Sequence, residues 1–103
     1  MYYMIVTSTD DINCAEIISK KIIEEKISPC VQIVRNVKSI YHWKNKIVNS
    51  NEMIINIKTH KKYIEKIANV IMKNHNYDVP EIISFKININ NKRYQNWFDN
   101  NIK

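Results

Sequence analysis

The chain contains no glycine in 103 residues, and that absence limits its architecture more than any other feature. P-loops and dinucleotide-binding turns need a backbone free of a Cβ where it approaches phosphate, so nucleotide sites of those kinds are excluded. Any left-handed reversal must be made by another residue, and Asn is the natural stand-in. The surplus of Ile, Lys and Asn, where other chains use Leu, Arg and Gly, runs along the whole sequence and is compositional background.

A chain of 103 residues has room for one core, so residues 1–103 form a single domain. Such a chain buries roughly two-thirds of its unfolded surface and keeps little stability in reserve, which association with further copies would increase. Hydrophobic residues at 45% and charged residues at 25% describe an ordinary folded chain. The net charge of +6 comes almost entirely from lysines, hydrated point charges poorly suited to gripping phosphate as a fork. With Asn56 and Lys58 in the central strand region in place of stacking rings, no nucleic-acid partner is expected. Cys14 and Cys30 make neither a zinc spacing nor a disulfide framework and suit a reducing compartment. The opening MYYMIVTSTDD is apolar for only a few residues, lacks a basic leader and runs into a helix-start signal. It reads as a buried strand, with no membrane segment expected and the cytoplasm as default location.

Periodicity supplies the elements. Tyr2 to Thr7 is an apolar, β-branched run, followed by Ser8, Thr9 and Asp10 as candidate caps. Ile12, Ala15, Ile18 and Ile22 recur at helical spacing between Asp11 and Lys26. Pro29 bars further helix, and a strand from Cys30 runs toward Tyr41 and Trp43. Lys44-Asn45-Lys46 is the turn of a long hairpin that returns from Ile47 to Thr59. A second helix is expected from Thr59 to about His75 on the stripe Ile64, Ile67, Ala68, Ile71 and Met72. Glu81 to Ile89 alternates as a last strand with one buried face. Tyr94, Trp97 and Phe98 place a short docked helix between Asn91 and Ile102.

This order, with right-handed crossovers, predicts an α+β fold: a ferredoxin-like split βαβ sandwich with an antiparallel four-stranded sheet, two helices on one face and a short C-terminal helix. The other face must then be covered by the terminal helix, a ligand or another subunit. No enzyme is expected, because there is no Gly-built oxyanion or phosphate loop and no Ser or Cys with an evident His partner.

Four motifs follow one another along the chain: Ser39-Ile40-Tyr41-His42-Trp43, Ile57-Lys58-Thr59, Tyr77-Asp78-Val79-Pro80-Glu81-Ile82 and Tyr94-Gln95-Asn96-Trp97. Together with Cys30-Val31 they make the chain resemble the CutA divalent-cation-tolerance family over essentially its whole length. The resemblance implies a tight PII-like homotrimer in which the long hairpin extends a neighbour's sheet and the sheets enclose the centre. It also implies a response to metal ions, with copper or another divalent cation weakly bound. The alternative it implies is a PII-like module that holds a small anionic ligand or a protein partner in inter-subunit clefts. Copper ligands proposed in one bacterial branch fall here on Val6, Asn74 and His75, leaving His75 as the metal candidate. Where the family has Gly in the hairpin turn this chain has Asn45, and where it has Pro between His75 and Tyr77 this chain has Asn76, which implies a looser backbone.

Each candidate has a plainer role beside it. His75 ends a helix, where an imidazole can bond free carbonyls. Cys30 can be a soft metal ligand or an apolar filler, and Cys14, on the first helix near its charged face, makes no better case. Tyr41 and Trp43 form a period-two aromatic stripe suited to a trimer interface or to stacking a ligand. Lys58 and Glu81 are charges in apolar strand regions, and with Tyr77 they outline an inter-subunit cleft or point outward as solvated strand ends.

Overall fold

The computed structural model describes the whole chain, Met1–Lys103. The elements are β1 (Tyr2–Thr9), α1 (Ile12–Glu24), β2 (Cys30–Trp43), β3 (Lys46–His60), a 3₁₀ turn at Lys61–Tyr63, α2 (Ile64–Asn74), β4 (Ile83–Ile87) and α3 (Lys92–Asn100). The sheet runs β2-β3-β1-β4 with every neighbouring pair antiparallel, the expected ferredoxin-like order. Ile5 of β1 and Ile55 and Ile57 of β3 meet Ala15, Ile18 and Ile22 of α1 and Ile67 and Ile71 of α2 in one buried core.

Several boundaries differ from the sequence expectation, and in each case strand pairing outweighs local signals. β1 continues past Thr7 because Ser8 and Thr9 pair with Ile54 and Met53. Capping of α1 therefore falls to Asp11, whose carboxylate accepts from the amides of Asn13 and Cys14. Thr59 starts no helix: it stays in the ladder opposite Tyr3, and its buried hydroxyl donates to the Ile27 carbonyl at 2.6 Å. α2 begins only at Ile64, and Met72 of the expected stripe is exposed. β4 is shorter than Glu81–Ile89, ending at Ile87.

Without glycine, four other residues take positive φ: Lys26 (57°), Asn36 (61°), Lys44 (51°) and Asn45 (64°). Lys26 follows the C-cap of α1, the position glycine usually takes, and its amide donates to the Ile23 carbonyl at 3.0 Å. Asn36 lies in the register shift of β2 between Val34 and Val37. Lys44 and Asn45 form the two-residue reversal between Trp43 and Lys46, a type I′ pattern. The hairpin beyond the shift projects as an arm. The longest dimension is 46 Å and the radius of gyration 14.4 Å, against about 13 Å for a compact chain of this length.

The sheet's second face is also apolar. Met4 and Val6 of β1 stand opposite Phe85 and Ile83 of β4, with Ile54 of β3 opposite Val34 of β2. α3 covers only one end of this face. Phe98 is buried there, edge-on to the rings of Tyr2 at 5.2 Å and His60 at 5.7 Å, and Asp99 accepts the Tyr2 hydroxyl at 2.9 Å. Beyond it Ile83 and Phe85 are half exposed, so the apolar side of β4, expected to be buried, is open in a single chain.

Left-handed geometry costs a β-carbon-bearing residue about 1–2 kcal/mol, partly offset against glycine's greater unfolded-state entropy. Lys26→Gly and Lys44→Gly are each expected to stabilise the chain by about 0.5–1 kcal/mol in chemical denaturation. Destabilisation by both would contradict this account of the turns.

Candidate functional site

The site starts from the segment that leaves α2. His75 uses both ring nitrogens within the chain: Nδ1 accepts the Tyr77 amide at 2.9 Å, which leaves the proton on Nε2 to donate to the Ser8 carbonyl at 2.8 Å. Asn76 accepts the Thr9 hydroxyl at 2.5 Å and donates to Asp10 Oδ1 at 2.8 Å. Asn76 thus ties this loop to the end of β1 by two side-chain bonds, where a looser backbone was expected.

That anchoring aims Tyr77 at β3. Its hydroxyl donates to Glu52 Oε2 at 2.5 Å, and Glu52 is only 6% exposed. Burial pushes the Tyr77 hydroxyl's pKa well above its ordinary value, and the hydrogen bond and negative charge of Glu52 push it further. The phenol therefore stays protonated and acts as a hydrogen-bond donor.

Around this pair opens a cleft of about 600 Å³, walled by Tyr41 and Trp43 of the hairpin arm, Ser8 of β1, Glu52, and the Tyr77–Glu81 segment. Three carboxylates line it, Glu52, Asp78 and Glu81, with no Lys or Arg among the lining residues. Ser8 Oγ donates to Glu81 Oε1 at 3.3 Å. Within one chain this cleft offers an anion no cationic partner.

The structure thus brings Tyr41, Trp43, Tyr77 and Glu81 to one cleft and sets Lys58 elsewhere. Lys58 pairs with Met4 and Cys30, four residues along β3 from Ile54, the partner of Ser8, or about 13 Å at strand rise. Its ammonium lies 3.9 Å from Cys30 Sγ and 5.9 Å from the Tyr94 ring centroid, beside a shallow groove bounded by Ile87–Asn91. It makes no ion pair with Glu81 in one chain; the two ion pairs join His60 to Asp99 and Lys66 to Glu25. Glu52 and Asp78 are cleft residues that periodicity did not single out. Glu52 stands one residue before the apolar stretch of β3, but its burial depends on Tyr77, 25 residues away.

No group of three or more His, Cys, Asp and Glu side chains converges to hold a metal. Asn74 Nδ2 donates to the Val70 carbonyl at 2.8 Å, and the buried Cys14 thiol donates to the Asn74 carbonyl at 3.4 Å. For His75 to take a metal it must give up one of its ring bonds. The residues of one chain do not fit a preformed copper site.

The family model of the CutA1 divalent ion tolerance protein matches residues 3–101. The chain belongs to the CutA1 divalent ion tolerance family. The divalent-cation tolerance protein CutA of Thermus thermophilus is 33% identical over 87 residues, covering 84% of this chain and 84% of that protein. The chloroplastic CutA of Arabidopsis thaliana is 33% identical over 86 residues, covering 84% of this chain but 47% of its own length. A rice chloroplastic CutA 1 is likewise covered over 46%, so the chain spans about half the length of the plant proteins. Among solved CutA1 structures, that of Thermus thermophilus superimposes with a TM-score of 0.92 at 29% identity over 100% of both chains. A Shewanella CutA1 gives 0.91 at 33% identity over 98% of this chain and 94% of its own.

Removing the Tyr77 hydroxyl leaves Glu52 buried without its donor, so Tyr77→Phe is expected to cost about 1–3 kcal/mol in urea unfolding. The raised Tyr77 pKa has a definite sign. Its contribution to stability is fully present below the ordinary tyrosine pKa of 10.0 and is lost as pH rises through the folded-state value. Stability of the wild type is expected to fall in alkali more steeply than that of Tyr77→Phe; parallel alkaline curves would remove Tyr77 from that role.

Proposed function

We propose that this CutA1 chain serves divalent-ion tolerance as a PII-like homotrimer that binds and does not catalyse. The observation that supports the assembly is the apolar sheet face of Met4, Val6, Ile83 and Phe85, on which Ile83 and Phe85 are half exposed beyond the reach of α3. Burying side chains of this size contributes about 1.5–3 kcal/mol each, and copies arranged around a common axis can share such a face. The arm around Tyr41 and Trp43 then lies against a neighbour, where its free backbone edge is paired instead of exposed. Against catalysis stands the wiring of the polar groups. Ser8 offers His75 its carbonyl, leaving its hydroxyl to Glu81, and the Cys14 thiol is spent on a helix-end carbonyl.

A second reading follows from the family's description: copper or another divalent cation bound weakly through His75, with copies or a neighbour's side chain completing the coordination. We place the protein in the cytoplasm, where its two free thiols, Cys14 and Cys30, stay reduced. No helix is long and apolar enough to cross a membrane.

Phe85→Glu puts a charge on the shared face. It is expected to sediment as a folded, smaller species, where the wild type sediments at about three times the 12.3 kDa subunit mass. A Phe85→Glu protein that keeps the wild-type mass would mean that this face is not the interface. For the metal reading, calorimetric titration with copper should give weak binding that His75→Ala largely abolishes; equal affinity in the variant would place any site elsewhere.

A further inference from the structure

Glu52 is 6% exposed, yet only its Oε2 has a partner, the Tyr77 hydroxyl. Oε1 accepts no hydrogen bond, and neither ion pair of the chain involves Glu52. The one side-chain polar atom sealed away from solvent without a partner is Thr7 Oγ1, so Oε1 of Glu52 keeps an opening, and Glu52 is a residue of the cleft wall. A nearly buried carboxylate with half its hydrogen-bonding capacity unused is costly unless a donor or cation comes to it. Asp78 and Glu81 face the same space with no lysine or arginine among the lining residues, in a chain whose net charge is +6. The negative potential is local and works at contact range.

The carboxylates are not gathered closely enough for three of them to hold one ion. That spread disfavours a point charge such as a metal and favours a cation whose charge and donors are distributed. The walls narrow the class further. Tyr41 and Trp43 are 38% and 47% exposed, and with Tyr77 and Val79 they give the cleft its aromatic and apolar lining. Aromatic faces attract flat cations, and a guanidinium both stacks on them and presents forked N–H donors to carboxylates.

We propose that this cleft binds a small alkylguanidinium, with its N–H groups on Glu52, Asp78 and Glu81 and its plane and stem against Tyr41, Trp43 and Tyr77. The lining residues all come from one chain, and the proposal rests on the arm contacts of the proposed trimer leaving the cleft side of Tyr41 and Trp43 open.

The chain has two tryptophans, and Trp97 sits on α3 outside the cleft. In a Trp97→Phe background, Trp43 is the one fluorescent tryptophan and lines the cleft, and sedimentation across the titration separates a change at the site from a change in assembly. Titration with agmatine is expected to give a saturable change at submillimolar concentration, weakened by added salt, while citrate gives none. Glu81→Gln, and Glu52→Gln, which keeps an acceptor for Tyr77, are each expected to weaken agmatine at least about tenfold while circular dichroism and sedimented mass stay unchanged. No saturable change, equal affinity in both Gln variants, or equal binding of citrate overturns the proposal. Binding of an arginine-containing peptide amide without any response to agmatine also overturns it, in favour of a protein partner's side chain.

Discussion

A four-stranded sheet with apolar residues on both faces but paired helices on only one is the constraint from which the rest of this molecule follows. β1 carries it most plainly. Ile5 points to the helices and is fully buried, while Met4 and Val6 point away, opposite Phe85 and Ile83. The terminal helix docks through Phe98 on Tyr2 and His60 and reaches one end alone. Leaving Ile83 and Phe85 half exposed costs a chain of this size part of a small stability reserve, and the proposed assembly is what would cover them.

The same sheet sets the cleft. β1 ends at Thr9 beside the point where the β2–β3 hairpin leaves the sheet as an arm. Into the corner between them the loop after α2 is tied by His75 on Ser8 and Asn76 on Thr9 and Asp10. Those bonds hold the Tyr77 hydroxyl on Glu52 and leave Asp78 and Glu81 facing the aromatic arm. His75 acts here as a positioning residue. The imidazole that invites a metal reading from sequence is occupied by the backbone that shapes the cleft.

Much of the fold was legible because period-two and helical patterns report burial directly, and Ile18, Ile22, Ile67 and Ile71 sit in the core where their spacing puts them. Strand ends were less legible: Thr9 and Thr59 read as helix-start signals, but ladder partners across the sheet hold both in strands. The turn at Lys44-Asn45 was visible, whereas Lys26 and Asn36 in left-handed geometry were not, since nothing local distinguishes a lysine or asparagine forced into glycine's place. Tyr77, Glu81, Tyr41 and Trp43 were found as candidates and do share a cleft. Glu52 escaped notice because an acid beside a strand usually faces water, and only the distant Tyr77 makes it a buried one. Lys58 was grouped with Tyr77 and Glu81 as a charge of the same unusual kind, but strand rise separates it from them within the chain.

The central claim is that copies of this chain cover the open sheet face, and native mass spectrometry of the unmodified protein at micromolar concentration tests it most directly. The account predicts a dominant three-copy ion that releases folded single chains only on strong activation. A spectrum dominated by folded monomers under gentle conditions would contradict it, because the face of Met4, Val6, Ile83 and Phe85 would then be stable in water.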